Sequence, residues 1–181
     1  MKKITTKRLC IIAILTALYF VLTIWLTIRI GNLRISLASL PILILAIMYG
    51  PLESAFAAGL GEFLNQLLTY GLTITTPIWI LPPIIRALIV AFGCNLIKKK
   101  YSTEDPWSKP VLFYGLLIIA AIITTFANTG VTWLDSIIFH YYTFAYVFGD
   151  FVIRLVTGVL TAVVMATILP YIIKPLRKVA F

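Results

Sequence analysis

Glu62, Asn65, Gln66 and Thr69 recur at i, i+3, i+4 and i+7 in a segment otherwise built from Leu, Phe, Ala and Gly. That spacing puts all four on one face of a helix. Arg86, Asn128 and the pair Asp150 and Arg154, four residues apart, interrupt three further apolar runs. Carboxylates that accept hydrogen bonds, and guanidiniums and amides that donate them, are the groups of non-covalent ligand capture. An ionised side chain at bilayer depth costs about 2.5–3.5 kcal/mol even on a lenient insertion scale, so these groups should turn toward the interior of a helix bundle. Two readings follow: a water-accessible ligand pocket, or a buried neutral network of two acids and two arginines that only fixes helix packing.

Reactive chemistry has less support. There is no phosphate-cradling glycine loop, no zinc motif and no nucleophile with a base in local context. Cys10 and Cys94 both lie in apolar stretches and offer neither a disulfide framework nor metal spacing. No cofactor or metal is expected. A membrane enzyme would have to draw acid and base from Asp135, His140 and Asp150. Rings are dense in two connections: Tyr70 and Trp79 in one, and Trp133, Phe139, His140, Tyr141, Tyr142, Phe144 and Tyr146 in the other. They suit a membrane-interface belt and also stacking on a flat heterocycle.

The elements that must position these groups follow from composition. Of the 181 residues, 61% are apolar and 12% charged, with mean hydropathy +1.05, against about 45–50% and 25% in soluble domains. A water-soluble globule is excluded. A crossing needs about 20 apolar residues, and six runs appear, near 8–28, 37–49, 52–69, 78–97, 111–133 and 145–173. The expected fold is an all-α integral membrane bundle of six helices in a single domain spanning residues 1–181. The second run is short, and Tyr49-Gly50-Pro51 predicts a tight turn after it. The first run is too long for a signal peptide and should be retained. Pro77, Pro82 and Pro83 predict a fourth helix that is kinked or begins late, near Pro82; a late start leaves residues 70–81 as a lid.

Lysine and arginine set the orientation. Eleven of the fifteen lie before helix 1, between helices 4 and 5, or at the C-terminus, so both termini should be cytoplasmic. The net charge of +9 therefore reads as topology and contact with anionic lipid, not as nucleic-acid binding. The external connection Ile28-Arg29-Ile30-Gly31-Asn32-Leu33-Arg34-Ile35 alternates around a Gly-Asn turn and predicts a hairpin with Arg29 opposite Arg34. Those like charges either face water or flank an anionic ligand. Counted from the external helix ends, Glu62, Arg86, Asn128, Asp150 and Arg154 all lie roughly 8–14 Å deep, a shared level that favours a pocket opening outward. Small residues form two stripes, Ala13 and Ala17 on helix 1 and Gly158, Ala162 and Ala166 on helix 6, for packing or for docking a membrane partner.

Three stretches carry a family resemblance: Asn32 to Pro51 (NLRISLASLPILILAIMYGP), Gly61 to Tyr70 (GEFLNQLLTY) and Thr76 to Arg86 (TPIWILPPIIR). The chain resembles the S components of energy-coupling factor (ECF) transporters, nearest the folate family. The resemblance implies a multi-pass subunit of a prokaryotic plasma membrane that captures a vitamin from outside. It also implies partners, a T component and two ATP-binding cassette ATPases, which Ala13-Ile14-Leu15-Thr16-Ala17 would meet through an A-x-x-x-A motif. The polar groups inside the crossings, Glu62, Asn65, Arg86, Asn128, Asp150 and Arg154, are the residues expected to line the pocket. Arg29, Arg34, Tyr70, Trp79, Trp133 and His140 would form a gate or rim. Folate or a reduced folate leads, with Glu62 accepting two hydrogen bonds from an aminopyrimidine edge and arginines pairing with acidic tails. Before helix 4 the chain has Tyr70-Gly71-Leu72-Thr73-Ile74-Thr75-Thr76-Pro77 in place of the Pro-Thr-Gly-rich loop of folate binders. Pantothenate, a pyrimidine or pyridine vitamin, a queuosine precursor and cobalamin stand as alternatives, as do a membrane enzyme and a structural membrane subunit.

Overall fold

Proline at the first or second position opens five consecutive helices, where its missing N–H costs nothing and its fixed φ suits the first turn. A computed structural model describes residues 6–25, 27–30 and 33–180. In chain order the elements are α1 (Thr6–Trp25), β1 (Thr27–Ile30), β2 (Leu33–Ser36), α2 (Leu40–Met48), α3 (Pro51–Tyr70), α4 (Thr76–Trp79) and α5 (Leu81–Tyr101). After a 3-10 turn (Pro106–Ser108) come α6 (Pro110–Ile138), α7 (Phe144–Phe148) and α8 (Phe151–Ala180). β1 and β2 pair antiparallel, with Ile28 opposite Ile35 and Arg29 opposite Arg34. The side chains of residues 26–35, and with them the gating role expected of Arg29 and Arg34, lie outside the described residues.

Pro41 through Ile47 are all buried, as befits a helix that is apolar all round. α2 sits at the centre, against α1, α3, α5 and α8. Its nine residues reach only about 13 Å, so the second of the six expected crossings cannot span a hydrocarbon core of about 30 Å by itself. Among the described residues four stretches are long and apolar enough to cross: Thr6–Trp25, Thr76–Tyr101, Pro110–Ile138 and Phe144–Lys178. α3 has the length, with 20 residues, but carries the polar stripe. The bundle exterior is apolar, with Ile14, Leu52, Phe56, Val111, Phe126, Val152 and Leu160 exposed, the inverse of a soluble protein and the surface a bilayer solvates.

Three boundaries differ from the sequence reading. α1 ends at Trp25 because Thr27 already pairs in the hairpin. α6 continues to Ile138 and so carries Asp135 as a helical residue. The expected sixth helix divides into α7 and α8 at Gly149 and Asp150, and α8 runs on past Pro170 and Pro175. The fourth helix starts late: α5 begins at Leu81 with Pro82 and Pro83 in its first turn, after the single-turn α4.

Candidate functional site

A cavity of about 560 Å³ opens at the end of the bundle that carries the hairpin, α4 and α7. The stripe on α3 supplies one wall. Glu62 lines the cavity and is 6% exposed. Its Oε1 accepts from Asn65 Nδ2 and from Gln66 Nε2, both at 2.9 Å, while its Oε2 accepts from Tyr19 Oη on α1, also at 2.9 Å. Thr69 Oγ1 donates in turn to Asn65 Oδ1 at 3.3 Å. Gly61 makes the Tyr19 contact possible, since a Cβ there would lie 2.3 Å from the Tyr19 ring.

Across the cavity, Arg86 of α5 donates through Nη1 to Ser39 Oγ at 2.9 Å and through Nε to Thr124 Oγ1 at 3.3 Å. Arg154 of α8 donates through Nη2 to the Val147 carbonyl at 2.5 Å, and its buried Nε has no hydrogen-bond partner among the described residues. Ion pairs among the described residues are Arg8–Glu53 and Arg177–Asp105, both at the opposite end. The mutually neutralising network of two acids and two arginines is therefore not formed. Asp150 sits in the break before α8, where its carbonyl accepts the Arg154 N–H at 2.9 Å, and no ion pair joins the two side chains.

Threonines line the rest. Thr124, Thr125 and Thr132 on α6 and Thr157 and Thr161 on α8 face the cavity. Each hydroxyl proton goes to the carbonyl four residues back, which leaves oxygen lone pairs turned to the interior. At the mouth, Asp135 Oδ1 accepts from Trp79 Nε1 at 3.2 Å, and its Oδ2 accepts from Tyr141 Oη. One carboxylate thus joins α4 to the α6–α7 connection. Burial, reinforced by Asp135, raises the Tyr141 phenol above its ordinary pKa and keeps it a donor.

Of the residues expected to bind, Glu62, Arg86, Asn128 and Arg154 line the cavity, as do the rim residues Tyr70 and Trp79. Asn65, Asp150, Trp133 and His140 do not. Asn65 is fully buried behind Glu62 and acts on it. Trp133 faces a separate apolar groove with Phe126, Phe148 and Phe151. His140 is exposed at φ 58°; it terminates α6, with the Tyr141 N–H reaching back to the Ser136 carbonyl. The stripe on α8 is internal: Ala162 and Ala166 are buried, and a Cβ on Gly158 would lie 3.3 Å from Thr125 Oγ1.

Tyr19, Ser39 and the threonine lining have no place among the residues singled out from the sequence. A signal for Tyr19 exists, since Thr16, Tyr19 and Thr23 recur at spacings of three and four on a face of α1 distinct from Ala13 and Ala17. Among the described residues no three of His, Cys, Asp and Glu gather to hold a metal ion.

A search of curated proteins returned no match. A family model described as ECF-type riboflavin transporter, S component, matches residues 3–177. The matching model is the riboflavin branch, whereas the sequence motifs resemble the folate branch. With a polar cavity set into an apolar helical bundle and a match over nearly the whole length, the chain belongs to the family of ECF transporter S components.

Proposed function

We propose that this chain captures riboflavin, or a close flavin relative, in the cavity between α1, α3, α5, α6 and α8. As an S component it is a multi-pass, substrate-binding subunit of a vitamin transporter, not an enzyme, and it works with a T component and ATPases. The carrying observation is the pairing of an aromatic mouth with a wall of threonine oxygens. Tyr70, Trp79, Tyr141 and Tyr146 ring the opening and suit a flat tricycle. The threonine lone pairs below suit a chain of hydroxyl donors, and Arg86 and Arg154 supply donors to ligand carbonyls.

The second reading is folate, favoured by the two cavity guanidiniums, neither of which forms an ion pair with a carboxylate among the described residues and which a ligand with acidic tails would neutralise. Against it stands the state of Glu62, whose Oε1 already accepts two amide hydrogens. The positive-inside distribution orients the basic end, with Lys98 to Lys100, Lys174 and Arg177, toward the cytoplasm of a prokaryotic plasma membrane, so the cavity opens outward. Ala13 and Ala17, exposed on α1 beside Ile14 and Leu18, are the contact for the T component.

Equilibrium binding of a vitamin panel to the purified chain tests this. Saturable riboflavin binding, with folate and pantothenate far weaker, is the expected outcome. Preference for folate would establish the second reading, and no binding of any vitamin would remove the capture role.

A further inference from the structure

Glu62 carries more constraint than a cavity-lining acid needs. A carboxylate offers about four acceptor positions, two on each oxygen. Asn65 and Gln66 occupy both positions on Oε1, and Tyr19 occupies one on Oε2. All three donors come from buried residues, so releasing any of them to admit a ligand would leave a buried polar group unpaired, which is costly. One position, on Oε2, remains for the cavity.

A carboxylate in this state cannot bracket a 2-amino-pyrimidinone edge, which presents two adjacent N–H donors and needs one free acceptor on each oxygen. It can take one N–H. We infer that Glu62 is a specificity-determining residue that receives a single ligand N–H, the imide N3–H between the two carbonyls of the isoalloxazine ring, and thereby selects flavins over aminopterins. The inference rests on the flavin reading above. Arg86 stands in the same cavity with guanidinium hydrogens beyond the two given to Ser39 and Thr124, and these complement the imide's carbonyl oxygens. Tyr19 is a positioning residue, holding Oε2 so that one lone pair faces inward.

The test compares riboflavin with 3-methylriboflavin, which lacks the N3 hydrogen, on the full-length protein in detergent, read by quenching of flavin fluorescence. A hydrogen bond to a charged group predicts affinity for the methylated compound lower by about tenfold or more. In Glu62→Ala the difference between the two flavins should collapse, because the discriminating group is gone; Glu62→Leu, which also lacks an acceptor, serves the same comparison if the alanine variant does not fold. Equal affinities on the native protein overturn the inference and leave the flavin reading standing. Discrimination that persists undiminished in either variant also overturns it, assigning the effect to steric exclusion elsewhere. If the native protein binds no riboflavin, the flavin reading fails first, and this inference with it.

Discussion

Arg86 brings a positive charge into a cavity where it meets two hydroxyls and no carboxylate. Glu62 is the opposite case, an anion whose hydrogen-bonding capacity is nearly consumed by neighbours. Their substitutions should separate accordingly. Arg86→Gln removes a charged donor from the ligand and is expected to weaken riboflavin binding by about tenfold or more, with no comparable loss of thermal stability, as titration calorimetry and a melting curve on one preparation will show. Unchanged affinity would take Arg86 out of the contact set. Both residues were legible in the sequence, because a charge inside an apolar run demands an explanation by its cost alone. Tyr19 and Ser39 were not. Hydroxyls are ordinary in membrane helices, and the spacing of Thr16, Tyr19 and Thr23 marks no more than a polar face, so the partner across the cavity is what distinguishes them.

Asp135 acts between elements. It receives Trp79 from α4 and Tyr141 from the turn after α6, so one side chain ties two connections together at the mouth. Asp135→Asn leaves one acceptor oxygen for two donors and so removes one of the two bonds, and stopped-flow release should be faster by about threefold to tenfold, for a bond contributing about 1 kcal/mol. An unaltered release rate would place the exit elsewhere. The elements themselves were largely readable: prolines marked the helix starts, and alternation around Gly31-Asn32 marked the strand pair with its register. The division of the last long run into α7 and α8 was not, since Gly149 and Asp150 sit amid apolar residues that hydropathy counts as continuous. Nor could the run containing Asp135 be ended correctly, because aromatic residues continue past the helix into the turn at His140 and leave no change of composition to mark it.

For the molecule as a whole, α1 turns one face to the cavity and another outward. Tyr19 and Thr23 line the cavity, while Ala13 and Ala17 lie exposed. A bulky residue at the stripe, as in Ala13→Trp, should leave riboflavin affinity of the isolated chain unchanged and abolish uptake by cells that hold the T component and ATPases. Normal uptake would return the stripe to simple lipid contact. The opposite end is tied independently: Arg8 to Glu53 and the Tyr49 carbonyl, Lys98 to the Ile47 carbonyl, and Arg177 to Asp105. Finally, α2 has a bearing on biogenesis. A segment of nine residues enclosed by helices from both halves of the chain is too short to be threaded into a bilayer as it leaves the ribosome. Its apolar faces are covered in full only when α8, the latest of those neighbours in chain order, is in place.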